Sequence, residues 1–259
     1  MQKIRIKKIL KKKGKLPIVC LTAYTRNIAK IADKYCDIIL VGDSLGMVLY
    51  GMKTTRNVKI ETMILHAKAV KEVSKKSLVV FDMPYKTYTN KFSAYKNAKK
   101  VIKLTKCDAI KLEGGKKIEK IVNFLVKKGI PVLGHVGLLP QTSRNFKARG
   151  KSSIERKKIL KDATAISNSG AFAIIIECVI EKLAKKITAN ISIPTIGIGA
   201  SRYCDGQILV TEDLTGLSDF SPKFVKQYAN LNKSIENCIK NYVKDVKTKR
   251  FPFANNVYK

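Results

Sequence analysis

A closed (β/α)8 barrel is the architecture this sequence predicts, and three observations predict it. Short apolar runs rich in Val and Ile recur along the chain with amphipathic segments between them, the pattern of repeated βα units. Eight such runs are present, the number that closes a barrel. Four of the runs end in an acidic residue: Asp43 after IILVG, Asp82 after LVVF, Glu113 after AIKL and Glu177 after AFAIII. In a barrel of parallel strands every C-terminal strand end opens onto one face, so four carboxylates are expected in one mouth. Their repulsion would raise one another's pKa values unless a cation sat among them, which argues for a metal-assisted enzyme.

The N-terminal MQKIRIKKILKKKGK is basic and amphipathic and reads as a short helix over the bottom of the barrel. It is unlike a transit peptide in its low Ser content and in running almost directly into the first strand. Strands are expected at 17–21, 37–42, 78–82, 108–112, 131–135, 172–177, 194–199 and 207–210. Helices are expected at 60–74, 92–105, 116–128, 154–169 and 181–189, where apolar residues recur every three or four positions with Lys opposite. Segment 222–247 reads as a further helix and FPFANNVYK as an extended tail. No repeat or low-complexity linker divides the chain, so one barrel domain spanning 1–259 is expected. The eighth strand is the ambiguous one, because DGQILVTEDLTG could be helical at its start. A doubly wound open sheet is the alternative, but it usually carries a Gly-rich phosphate loop after strand one, and LTAYTRN has none.

Composition narrows the function class. With 27% charged and 45% hydrophobic residues the chain fits neither a disordered nor a membrane class, and no apolar run approaches the roughly 18–20 residues that span a bilayer. The net charge of +33, from 52 basic and 19 acidic residues, would ordinarily suggest nucleic-acid binding. Lys dominates over Arg, however, and is spread through nearly every expected helix without interleaved aromatics, so no base-reading or stacking platform is formed. The reading is a solvated Lys-rich surface that attracts anionic substrates at long range, with no nucleic acid or membrane as partner. Six cysteines, at 20, 36, 107, 178, 204 and 238, form no CxxC pair or zinc spacing. They read as small buried apolar residues in a reducing cytoplasm.

Candidate site residues follow from the strand ends. VGDSLG sets Asp43 and Ser44 just past the second strand, where the alternative is an Asp capping the next helix. Asp82 in VVFDMPY precedes a Pro that shapes the loop, and two hard carboxylates on neighbouring loops suit Mg²⁺. In KLEGG a period of two turns Lys111 and Glu113 the same way, into the mouth, either as a neutralised structural pair or as a cation for substrate oxygens beside a carboxylate supporting the metal. His135 closes PVLGH and is a structural or substrate-contacting residue, whereas His66, inside a helix, reads as structural and remote from any strand end. Glu177 ends the most hydrophobic strand, where desolvation should raise its pKa toward that of a useful proton acceptor. PTIGIGAS is like a Gly-rich phosphate loop but lacks GxGxxG spacing, and close approach of the backbone to a ligand explains it as well.

At these residues the chain resembles the 3-methyl-2-oxobutanoate hydroxymethyltransferase (ketopantoate hydroxymethyltransferase) family. The likeness runs from LTAYT to PKFVKQY through VGDSLGMVLYG, FDMPYKTY, AIKLEGG, GIPVLGHVGLLPQ, IIECV, IPTIGIGAS and DGQILV, in that order. The resemblance implies a barrel of the phosphoenolpyruvate/pyruvate type and Mg²⁺. It further implies transfer of a one-carbon unit from 5,10-methylenetetrahydrofolate to 3-methyl-2-oxobutanoate, in pantothenate biosynthesis, by a homodecamer. By the same resemblance Asp43 and Asp82 match metal ligands and Glu113 a further metal-associated position. Asp43, Ser44, Asp82 and Lys111 match the oxoacid site, and Glu177 the proton acceptor. The chain departs from the family pattern at Thr25 for Asp, Ile180 for Pro, Ser201 for Gly, and in the FKARGK loop.

Overall fold

Eight parallel strands follow one another round a closed barrel in sequence order, with the last pairing back to the first. They are β1 Ile18–Thr22, β2 Ile38–Val41, β3 Leu78–Asp82, β4 Ala109–Glu113, β5 Val132–Gly137, β6 Ala173–Glu177, β7 Thr195–Ile198 and β8 Gly206–Leu209. The computed structural model describes residues 2–143, 145, 147–218 and 222–258. Two compact units are distinguished, Met1–Val210, which holds the whole barrel, and Thr211–Lys259.

Alternation along the strands separates two cores. Ile38 and Leu40 of β2, Leu78 and Val80 of β3, Ala109 of β4, Leu133 of β5 and Ala173 and Ile175 of β6 pack together as the filled interior. Their neighbours Ile39, Val41, Val79, Phe81, Ile110, Leu112, Ile174 and Ile176 belong instead to the larger core that includes the helices. Burial on both faces explains why these strands read as unbroken apolar runs. The same parity carries Asp82, Lys111, Glu113, His135 and Glu177 inward at the ends of their strands.

The helices of the first unit are α1 Gln2–Lys11, α2 Arg26–Ala32, α3 Leu45–Val48, α4 Ile60–Val73, α5 Lys91–Thr105, α6 Glu119–Lys127, α7 Ser153–Asn168 and α8 Glu181–Asn190. Helix α1 covers the N-terminal strand ends as expected: Ile9 joins the interior core, Arg5 pairs with Asp108 at 2.9 Å, Lys12 with Asp37 at 2.6 Å and the following Lys13 with Asp205 at 3.0 Å. Those three aspartates directly precede β4, β2 and β8. Thr25 caps α2 through its side chain, accepting from the Ile28 N–H at 3.5 Å, so the departure from Asp keeps an oxygen cap of longer reach.

Several expectations need correcting. The stretch expected as one helix from 116 opens with a 3-10 turn, Lys116–Ile118, before α6. Helices α2 and α3 are too short to show a period in sequence. In the second unit, made of α9 Thr211–Thr215 and α10 Leu231–Lys247, the helix expected from 222 begins only at 231, because the Asn230 side chain caps it by accepting from the Lys233 N–H at 3.0 Å. The tail is not fully extended, since Ala254–Asn256 forms a 3-10 turn. The cysteines are all free, but Cys178 is only half-buried and Cys238 is exposed, so two of the six are not core residues.

Candidate active site

Parallel pairing sets neighbouring strand ends level with one another. Asp82 is in register with Lys111 across β3 and β4, and Glu113 with His135 across β4 and β5. The Lys111 Nζ lies 2.7 Å from Asp82 Oδ2 and 3.7 Å from Glu113 Oε1. His135 Nδ1 lies 3.6 Å from Glu113 Oε1, and its Nε2 3.2 Å from Glu177 Oε2. Asp43, at the end of β2, donates its N–H to Asp82 Oδ2 at 3.2 Å. The structure thus brings Asp43, Asp82, Lys111, Glu113, His135 and Glu177 into one mouth.

Asp43 is not the cap of a helix, for its Oδ2 accepts from Gln141 Nε2 at 2.9 Å. Ser44, at the start of α3, makes no side-chain cap bond, and its hydroxyl meets the Tyr24 hydroxyl at 2.7 Å. His66 is not remote from the strand ends. Its Nδ1 meets the carbonyl of Tyr24, two residues past β1, at 2.6 Å, and its Nε2 meets the Tyr50 hydroxyl at 2.9 Å. This braces the loop that presents Tyr24 to Ser44.

The electrostatics follow from burial and crowding. Burial, reinforced by Asp82, pushes the Asp43 carboxyl well above its ordinary range. Burial also raises Asp82, against the lowering pull of Lys111. For Glu113 burial is outweighed by the neighbouring His135 and Lys111, which hold it below the usual range. Burial acts to lower the Lys111 pKa, yet Asp82, Glu113 and Asp43 prevail and raise it above the ordinary value. In His135 burial is overcome by Glu113 and Glu177, which lift the imidazole to about 9. Glu177 does not have the wholly apolar surroundings expected of it: its side chain is 15% exposed and faces the imidazole.

Four carboxyl groups thus share the mouth with two basic side chains, Lys111 and His135, and the crowding of acidic groups is itself part of what raises Asp43 and Asp82. Asp82 Oδ1 and Glu113 Oε1 are buried with no hydrogen-bond partner. Among the described residues, no three His, Cys, Asp or Glu side chains form a ready cage for a metal. Mg²⁺ needs none, since it keeps water and substrate oxygens and takes only one or two carboxylates. Hard oxygens buried without a partner fit that ion.

Around Glu177 the backbone is drawn tight. Gly137 has φ +97°, and a Cβ there would lie 2.3 Å from the Glu177 carbonyl, so only glycine fits beside it. Cys178 takes φ +50°, a left-handed conformation uncommon for a residue with a side chain, and turns the chain immediately after the carboxylate. Ile180, where the family pattern has Pro, donates its N–H to the Arg149 carbonyl at 3.0 Å, a bond Pro cannot make. The FKARGK loop is therefore tied to the end of β6 by its own backbone, although its Phe146 lies outside the described residues. Ser201 accepts from the Tyr203 N–H at 3.1 Å. The space beside Gly197 is filled by the side chains of Gln207 and Cys204 rather than left for a ligand. Sequence reasoning missed Gln141 and Tyr88, neutral loop residues that carry no motif signal beyond their place in GLLPQ and PYKTY.

Comparisons with known proteins bear on the chain as a whole. A family model described as ketopantoate hydroxymethyltransferase matches residues 3–254. The 3-methyl-2-oxobutanoate hydroxymethyltransferase of Pelagibacter ubique is 51% identical over 254 residues, covering 98% of this chain and 99% of its own. That of Rhizobium etli is 50% identical, covering 95% and 92%. Among solved structures, phosphonopyruvate hydrolase in complex with oxalate and Mg²⁺ matches with a TM-score of 0.64 at 10% identity, over 97% of this chain and 93% of that one. The 2,3-dimethylmalate lyase of the PEP mutase/isocitrate lyase superfamily matches with 0.63 at 12%, over 98% and 89%. At such identities the two structures speak to the barrel alone.

Proposed function

Because the chain belongs to the ketopantoate hydroxymethyltransferase family, we propose that it transfers a hydroxymethyl group from 5,10-methylenetetrahydrofolate to 3-methyl-2-oxobutanoate, forming 2-dehydropantoate. The observation that carries the reading is the convergence of Asp43, Asp82, Glu113 and Glu177 with Lys111 in the barrel mouth, where Asp82 Oδ1 and Glu113 Oε1 are buried with no hydrogen-bond partner. Asp43 and Asp82, with Glu113 in support, would hold Mg²⁺, whose charge would polarise the oxoacid's carbonyl and acidify its C3 proton. Ser44 and Lys111 complete the oxoacid site, and the Lys111 ammonium stabilises negative charge growing on the substrate oxygen. Glu177 accepts the C3 proton. Water adds to the folate-borne methylene and its bonds to nitrogen break, so tetrahydrofolate leaves and the carbon stays at the formaldehyde level; the carbanion carbon then bonds to it, and its oxygen takes up a proton to become the new hydroxyl. His135, a cation beside Glu177, orients that carboxylate. The same reading takes the enzyme to be a cytoplasmic homodecamer, which sedimentation equilibrium tests. No helix among the described residues is long and apolar enough to cross a membrane.

The decisive assay is Mg²⁺- and folate-dependent consumption of 3-methyl-2-oxobutanoate, paired with oxoacid titration of Asp82→Ala with and without Mg²⁺. Turnover in the parent and loss of the metal dependence in a folded variant are expected. A variant with unchanged metal dependence removes Asp82 from the site.

A further inference from the structure

Gln141 lies in the loop after β5, is 1% exposed, and has every polar group engaged. Its Nε2 donates to Asp43 Oδ2 at 2.9 Å and to the Met83 carbonyl at 3.0 Å. Its Oε1 accepts from the Tyr88 hydroxyl at 2.5 Å, its N–H donates to Glu113 Oε2 at 3.1 Å, and its carbonyl accepts from Arg56 Nε at 3.0 Å. The amide cannot be turned over, because the flipped form would set its oxygen against two acceptors. Tyr88 supports the same sense: its hydroxyl accepts from the Glu113 N–H at 3.2 Å, and its proton has the Gln141 oxygen at 2.5 Å against the Glu113 carbonyl at 3.4 Å. A closed circuit of hydrogen bonds therefore runs from Glu113 through Tyr88 to Gln141 and back to Glu113, with an arm to Asp43.

We propose that Gln141 is the positioning residue of the mouth: its side-chain amide aims Asp43 by tying down one carboxylate oxygen so that the other faces the metal–oxoacid site, while its backbone N–H holds Glu113. This rests on the metal-assisted reading above. A neutral amide suits the task. Lys or Arg in its place would hold the Asp43 oxygen but cancel the negative charge that attracts a divalent cation, whereas Gln directs that carboxylate and leaves its charge intact. Tyr88 acts through Gln141, by fixing which end of the amide meets Asp43.

The test is calorimetric titration of 3-methyl-2-oxobutanoate in Mg²⁺, together with D₂O exchange of its C3 proton followed by NMR. Gln141→Leu should weaken Mg²⁺-dependent binding by about tenfold or more, as expected for a lost hydrogen bond to a charged group. Exchange at limiting Mg²⁺ should fall with the binding, and raising Mg²⁺ should recover part of it, a metal dependence that a merely structural role would not show. Tyr88→Phe should show a smaller loss, and the double variant should bind no more weakly than Gln141→Leu alone. If Gln141→Leu does not fold, Tyr88→Phe decides: weaker metal-dependent binding supports the proposal, and parental binding overturns it. Additive losses, or parental binding by both single variants, overturn it while the proposed function stands. A parent that shows no Mg²⁺-dependent oxoacid binding overturns the proposed function, and this inference with it.

Discussion

His135 Nε2 sits 3.2 Å from Glu177 Oε2, and the same ring reaches toward Glu113 with its other nitrogen at 3.6 Å. With its pKa lifted to about 9, the imidazole is a cation at neutral pH and has no lone pair to offer as a base. The proposed mechanism accordingly assigns the C3 proton to Glu177, the partly exposed carboxylate beside that ring.

Glu177→Gln should therefore separate chemistry from binding. It keeps shape and hydrogen bonding but cannot accept the C3 proton, so exchange of that proton with D₂O in Mg²⁺ should fall by roughly 10² or more, with oxoacid affinity little changed. NMR follows the exchange without folate. Exchange at the parent rate would transfer the role of base to another group.

Lys111→Met tests how charge is shared. The ammonium is buried against Asp82, and breaking such a pair from one side costs about 3–5 kcal/mol because a buried charge is left unmatched. Thermal unfolding should show a large drop in Tm. Mg²⁺ should raise the variant's Tm more than the parent's, since a cation among the same carboxylates takes over the missing compensation. An equal Mg²⁺ effect on both proteins would show that the ion and Lys111 do not share partners.

Acid sensitivity should come partly from Asp33, at the end of α2. Burial works to raise its carboxyl, but N–H donors from Ser77, Lys75 and Lys76, at 2.8 to 3.0 Å, prevail and hold it below the ordinary value. A folded pKa below the unfolded one contributes stability above about pH 4, which is lost as pH falls through the folded value. Urea midpoints of the parent and Asp33→Asn should differ at pH 7 and converge below about pH 4. A gap independent of pH would assign the effect to packing.

The barrel was legible because both faces of each strand are buried, which writes each strand as a continuous apolar run with sharp ends. Even the doubtful eighth strand, Gly206–Leu209, pairs on both sides. The acidic residues were legible for the complementary reason: a charge closing such a run must point into the mouth or be excluded. What could not be read was the packing of loops. His66 looked remote because nothing local to helix α4 tells that its ring meets the backbone after β1. Gln141 and Tyr88 bear no charge and follow no period, so their part emerges only when loops after β3 and β5 are set beside β4. The start of α10 was not legible because its cap, Asn230, lies inside a stretch that reads as one helix from 222.

Asp43 and Gln141 are joined by a side-chain bond although 98 positions apart along the chain. Their partners lie on strands whose pairing closes only when distant segments meet, and contacts of such separation form late in folding. A half-formed barrel thus has nowhere to hold the cation or the oxoacid, and occupancy stabilises the native state without stabilising the transition state that leads to it. In a denaturant chevron, Mg²⁺ with 3-methyl-2-oxobutanoate should slow the unfolding limb and leave the refolding limb in place. Bound ligand then sets the lifetime of the folded enzyme, while the rate of its formation belongs to the chain alone.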